Sequence, residues 1–136
     1  MGYCLIAFTA GHETTRGAIS GGFLELIEQP DLRERWERDP DLTPLAADEI
    51  IRFVTPVNHM VRTASEDYEL RGRKIRKGDR LVLFYASANC DEEVFENGDE
   101  LRLDRHPNPH LAFGVGSIPA WARISHGRRA AQSSGS

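Results

Sequence analysis

The sequence predicts a mainly α-helical protein with a small β-sheet. Apolar residues recur at helical spacing through the first part of the chain. Prolines at positions 30, 44 and 56 then divide the helical stretches. Beyond Pro56 the pattern changes to short runs rich in β-branched and aromatic residues. With 136 residues, 28% charged and 40% hydrophobic, the chain has the composition of one soluble domain with a modest core.

Leu5, Phe8, Ile19, Phe23, Leu26 and Ile27 predict one long helix from about Tyr3 to Glu28. It ends before Gln29-Pro30, because proline disfavours helical geometry in the residue preceding it. Asp31 is expected to cap a short charged helix reaching about Arg38, with Trp36 as its buried anchor. Thr43 before Pro44 has the form of an N-cap followed by proline at the first helical position, opening a helix to about Phe53. Val61–Ala64 and Tyr68–Leu70 are expected strands, Lys77-Gly78-Asp79 a turn, and Arg80–Tyr85 a third β-rich run. Ala86–Phe95 is expected to hold a helical turn or two, and Asn97–Pro109 to be irregular.

The net charge of −4 argues against a general nucleic-acid binder. No apolar run approaches the roughly 20 residues that span a bilayer. Met1–Ala10 is apolar but has neither a basic leader nor a cleavage site, so no signal peptide is predicted. Cys4 and Cys90 form neither a metal spacing nor a disulfide framework, which fits a cytoplasmic location.

Ala10-Gly11-His12-Glu13-Thr14-Thr15 is unusual inside a helix. Glycine there costs about 1 kcal/mol relative to alanine, and threonine can turn its hydroxyl back onto the preceding turn and loosen the ladder. Small residues admit something large against the backbone, and Glu13 with Thr14 could relay protons in the opened groove. Taken alone, the segment favours a plain packing glycine with solvent-facing polar neighbours. Glu49 and Arg52 stand at i and i+3 and share a helix face; a surface ion pair is the plain reading.

In order and spacing these motifs resemble those of the cytochrome P450 superfamily, in its bacterial type. Ala-Gly-x-Glu-Thr-Thr is similar to the oxygen-activating stretch of the long central helix of that family. The resemblance implies that Ala10 and Gly11 leave room over a haem, and that Glu13 and Thr14 assist protonation of iron-bound dioxygen. Glu49-x-x-Arg52 looks like the family's ExxR motif, with Arg105 of Leu103-Asp104-Arg105 as the third member of a buried structural network in the meander. Arg62 resembles the arginine that reaches a haem propionate, a carboxylate that a guanidinium matches with two parallel hydrogen bonds. His110-Leu111-Ala112-Phe113-Gly114-Val115-Gly116 looks like the entrance to the haem loop. Phe113, Gly114 and Gly116 would then shape the cofactor site.

The resemblance covers residues 3–116, a partial P450 domain, and breaks at the iron ligand. Where the family has histidine and then cysteine, this chain has Ile118 and Ala120, so the expected cysteine ligand is absent and no metal-binding residue is assigned. Residues 117–136 do not match and are expected to form a disordered tail. One set of synonymous codons for Ser117–Gly127, read two bases on, spells His-Ser-Cys-Leu-Gly-Ala-Asn-Leu-Ala-Arg, so a one-base frameshift near Ser117 is the expected origin of the break. The resemblance implies haem b, oxygen, a small apolar substrate of lipid or sterol type, and electrons from a ferredoxin-like donor served by an NAD(P)H reductase. A remnant without haem is the alternative.

Overall fold

The computed structural model describes residues 2–114, with side chains from Gly11 onward. The expected tail, Gly116, Ile118 and Ala120 lie outside the described residues.

Helix α1 runs from Gly2 to Glu28 and stops one residue before Gln29-Pro30. Helix α2 spans Pro30–Arg38, a 3-10 turn spans Pro40–Leu42, and α3 spans Thr43–Val54. Proline sits at the start of α2, where its missing N–H is not needed. Two local expectations are corrected here. Asp31 lies inside the first turn of α2 rather than capping it, and Gln29 at the cap position makes no side-chain cap bond. Thr43 is already helical, because the 3-10 turn feeds directly into α3. Its hydroxyl donates to the Pro40 carbonyl and accepts the Trp36 indole N–H at 3.0 Å. Trp36 is half-buried rather than fully buried.

Helices α1 and α3 approach closely because glycines face the contact. A Cβ added at Gly22 would stand 2.6 Å from Ile50 Cγ2, and one added at Gly21 would stand 2.7 Å from Val54 Cγ1. The β-branched side chains of α3 therefore occupy the space that the glycines leave. Helix α3 ends at Thr55, whose φ of 42° is left-handed. Its N–H bonds to the Ile51 carbonyl, and its hydroxyl donates to the Arg52 carbonyl.

Strand β1 (His59–Thr63) pairs antiparallel with β4 (Arg80–Phe84), placing Arg62 opposite Leu81. Strands β2 (Tyr68–Leu70) and β3 (Arg73–Ile75) form a separate hairpin. The small sheet is thus two two-stranded ladders. Strand β3 escapes sequence reading because Arg73-Lys74-Ile75 has no apolar alternation. Arg71 and Gly72, both with positive φ, make the two-residue turn that matches strand twist. Tyr85 belongs to the short helix α4 (Tyr85–Ala88) rather than to β4.

The core lies between α3, α4 and the irregular segment that follows. Ala46, Tyr85, Phe95, Leu101, Leu103 and Ala112 are its buried apolar members. The opposite side of the molecule is open: Phe23 is 65% and Phe84 60% exposed.

Candidate functional site

Glu49 and Arg52 are both fully buried and share one face of α3. A carboxylate taken out of water must have every lone pair satisfied, and Glu49 achieves this. Its Oε1 accepts from Arg52 Nη2 at 2.8 Å, from Arg105 Nε at 2.9 Å and from the Arg102 backbone N–H at 3.1 Å. Its Oε2 accepts from Arg52 Nε at 2.8 Å and Asn108 Nδ2 at 3.1 Å. The two arginines send their remaining donors mainly to main-chain oxygens. Arg52 reaches the carbonyls of Asn89, Gly98 and Glu100, and Arg105 those of Glu96, Asn97 and Glu100. The Phe95 ring lies 5.2 Å from the Arg52 guanidinium carbon and 5.9 Å from that of Arg105, so its π-face adds to the stabilisation of both cations. Glu49, Arg52 and Arg105 therefore meet in one network, drawn from residues 56 positions apart.

Asn89, which sequence reasoning missed, is fully buried and joins three segments. Its Nδ2 donates to Thr55 Oγ1 at 2.8 Å at the end of α3, and its Oδ1 accepts from the Leu111 N–H at 2.7 Å. His110 is the neighbouring tie. Its Nδ1 accepts from the Ala112 N–H and its Nε2 lies 3.3 Å from Asp48 Oδ1, so the tautomer with hydrogen on Nε2 satisfies both contacts. These bonds anchor the entrance to the loop at Leu111–Gly114. Gly114 has φ of 72° and its N–H bonds to the Leu111 carbonyl at 2.7 Å. Phe113 is half-buried, with its ring centroid 5.5 Å from that of His110. No local sequence signal marks Asn89, because its partners lie 34 and 22 positions away. Asn108 and His110 stand beside proline in a run that gives little sign of their partners on α3.

The remaining predicted residues lie apart from this network. Ala10 and Gly11 sit within α1, and a Cβ added at Gly11 would meet nothing within 4 Å. Glu13 is exposed, and its carboxylate takes the Arg16 guanidinium at 2.8 Å and stands 3.5 Å from the His12 ring. Thr14 is half-buried. Arg62 is exposed on β1, and its Nη1 donates to the carbonyl of its own neighbour Val61 at 3.2 Å. Among the described residues, no group of three or more metal-ligating side chains converges.

This arrangement fits a haem only in part. Open space at Gly11 and Arg62, which makes no ion pair among the described residues, suit a large planar cofactor with carboxylate arms. The iron ligand does not fit: alanine stands at the cysteine position, and the described cysteine, Cys90, is exposed in the turn after α4. The chain as written supplies no thiolate in the loop.

Comparison with known proteins identifies the class to which this fold and this network belong. The family described as "Cytochrome P450" matches residues 2–117. The chain belongs to the cytochrome P450 family. It is 47% identical over 115 residues to the methyl-branched lipid omega-hydroxylase of Mycobacterium tuberculosis, covering 84% of this chain and 27% of that protein. It is 44% identical to Cytochrome P450-terp of a Pseudomonas species, over 85% of this chain and 27% of the relative. The structure superposes on cytochrome P450-153 from Novosphingobium aromaticivorans with TM-score 0.84 and 45% identity, covering 90% of this chain and 32% of that one. CYP109E1 from Bacillus megaterium in complex with corticosterone gives TM-score 0.87 at 34% identity, over 92% of this chain and 34% of its own. The chain spans about a quarter of the length of the curated relatives it matches. Among the described residues, no helix is long and apolar enough to cross a membrane.

Proposed function

We propose that this chain carries the cofactor-facing helix and the folding core of a P450 monooxygenase that oxidises an apolar, lipid- or sterol-like substrate with O2. Electrons would come from a ferredoxin-like donor fed by an NAD(P)H reductase. The observation that carries this reading is the Glu49–Arg52–Arg105 network, assembled beside the entrance to the haem loop. The substrate class is supported by the relatives, one named for a methyl-branched lipid and another, 47% identical over 113 residues, named steroid C26-monooxygenase. In the complete site, Ala10 and Gly11 would leave room for the haem and Arg62 would hold one of its propionates. Glu13 and Thr14 would hold and pass protons, while Phe113, Gly114 and Gly116 would shape the loop. Haem b supplies the oxygen chemistry when bound.

A second reading applies to the chain as written. Ile118 and Ala120 replace the expected histidine and cysteine, so we read this chain as catalytically silent, its ligand sequence displaced by a one-base shift near Ser117.

One experiment tests both readings. The chain as written and a frame-restored version, each joined to the upstream coding sequence, are supplied with haemin, reduced and exposed to carbon monoxide. The frame-restored protein is expected to give the red-shifted thiolate band, and the chain as written to give none. A thiolate band from the chain as written overturns the silent reading. Its absence from both overturns the monooxygenase reading. The coding DNA through Gly116 and Ser117 checks the shift directly.

A further inference from the structure

The hairpin β2–β3 and the turn after it carry charge that neither the network nor the cofactor face uses. Arg71, Arg73, Lys74, Arg76, Lys77 and Arg80 fall within ten residues of a chain whose net charge is −4. All six are exposed. Arg71 pairs with Glu93 at 3.5 Å, and the other five make no ion pair among the described residues. Asp79 lies among them, and Glu66, Asp67 and Glu69 lie just before them. Asp79 and Asp67 accept from the backbone N–H groups of Arg76 and Lys77, each at 2.8 Å, and so hold the turn. Glu69 faces Lys74 across the ladder. The patch keeps a positive balance on an otherwise acidic chain.

The hairpin also has an apolar side. Directly paired residues of an antiparallel ladder project to the same face. Tyr68 and Leu70 therefore share a face with their partners Ile75 and Arg73. Tyr68 is 62% and Leu70 55% exposed. The Arg71-Gly72 turn fixes this face with two residues, so little ordering is required on binding.

We propose that this hairpin docks on an anionic lipid surface. Tyr68 and Leu70 enter the headgroup boundary, and Arg71, Arg73, Lys74, Arg76 and Lys77 meet lipid phosphates. Strands of three residues each offer far less than the roughly 1,200 Å² that a stable protein interface buries. A fluid surface needs no matching shape, only apolar tips ringed by cations. The site is independent of the haem reading and stands whether or not this chain holds iron.

Vesicle co-sedimentation of the full chain tests it, with phosphatidylcholine vesicles compared against the same lipid mixed with phosphatidylglycerol. The chain is expected to prefer the anionic vesicles and to lose that preference as salt rises. Arg73→Glu with Lys74→Glu is expected to weaken anionic binding about tenfold or more. Arg33→Glu with Arg38→Glu on α2, the same change in net charge, should leave it within about twofold. Tyr68→Ser with Leu70→Ser should also weaken binding while keeping every cation. Far-ultraviolet circular dichroism of each variant excludes unfolding as the cause. Equal binding to both vesicle types overturns the proposal, because the open apolar faces elsewhere would then suffice. Equal loss in the two charge-reversal variants overturns it as a net-charge effect. Hairpin-dependent binding to an acidic ferredoxin, with no vesicle binding, overturns it in favour of a protein partner.

Discussion

The two sides of this molecule follow opposite rules. Around α3, ionised side chains are fully buried and every donor of Arg52 has an acceptor. Along the second half of α1 and the β1–β4 ladder, apolar side chains such as Phe23, Ile27, Val82 and Phe84 stand in water. The usual distribution puts apolar groups inside and charges outside. Its inversion shows where this chain is internally complete and where it is not. Hydrogen bonds close the network within the chain, whereas apolar faces of this size ordinarily pack against further protein.

Disrupting the closed side should have the largest effect. Arg52→Ala leaves the buried Glu49 carboxylate with Arg105 as its one remaining cationic partner in the network, and takes the guanidinium donor from the Asn89 and Gly98 carbonyls. It is expected to cost about 3–5 kcal/mol and to abolish hydrogen-exchange protection of the Arg102 amide, which bonds to Glu49. A protected Arg102 amide in that variant would show that the network does not hold the meander.

Asn89→Ala should follow, at about 1–3 kcal/mol, because it orphans the Leu111 N–H and the partner of Thr55. Loss of slow exchange at Leu111, with Arg102 unaffected, would separate the loop anchor from the charged network.

Gly22→Ala tests the seam between the two sides. The gain in helix propensity, about 1 kcal/mol, opposes a methyl group placed against Ile50 Cγ2, and overpacking costs about 1–3 kcal/mol. Net destabilisation is expected in denaturant titration. Ile50→Ala in the same chain should relieve part of it, and strict additivity of the two changes would refute the contact.

The smallest effect belongs to the rim. Arg35 Nη2 bonds Asp104 Oδ2 at 2.7 Å, tying α2 to the meander. That hydrogen bond holds the Asp104 carboxyl below its ordinary range. A depressed folded-state pKa gives stability that is present above the unfolded value of 3.8 and lost as pH falls through the folded value. Because both side chains are half in water, Arg35→Ala should cost below about 1 kcal/mol. The difference from the parent chain should vanish in acid and remain flat from pH 5 to 8.

What the sequence reveals depends on how far apart the partners lie. Glu49 and Arg52 are one helical turn apart, so spacing alone places them on one face. Long helix α1 is legible from periodicity, and its end from Pro30. Arg105 is legible only through family resemblance, since nothing local links it to a carboxylate 56 positions earlier. Asn89 escapes altogether, and His110 is legible only as the start of the loop motif and not as a tie to Asp48, because a buried polar residue in an irregular stretch reads like any loop residue. The cap assigned to Thr43 fails for a local reason: a 3-10 turn precedes it and extends the helical geometry backwards. The open faces are equally invisible, for a periodic apolar stripe shows that something should cover it but not whether this chain does.

The acceptors chosen by Arg52 and Arg105 have a consequence for how this segment can diverge. Six of their bonds end on the carbonyls of Asn89, Glu96, Asn97, Gly98 and Glu100. Every amino acid offers a carbonyl, so the clamp grips the route of the backbone and is blind to most side chains along it. Three positions are exceptions: a Cβ at Gly98 would stand 2.8 Å from the Cys90 carbonyl oxygen, the Asn89 side chain is itself a buried tie, and Asn97 has a left-handed φ of 49°. Drift at Glu96 and Glu100 can therefore rewrite the surface over the network while the path beneath it stays fixed.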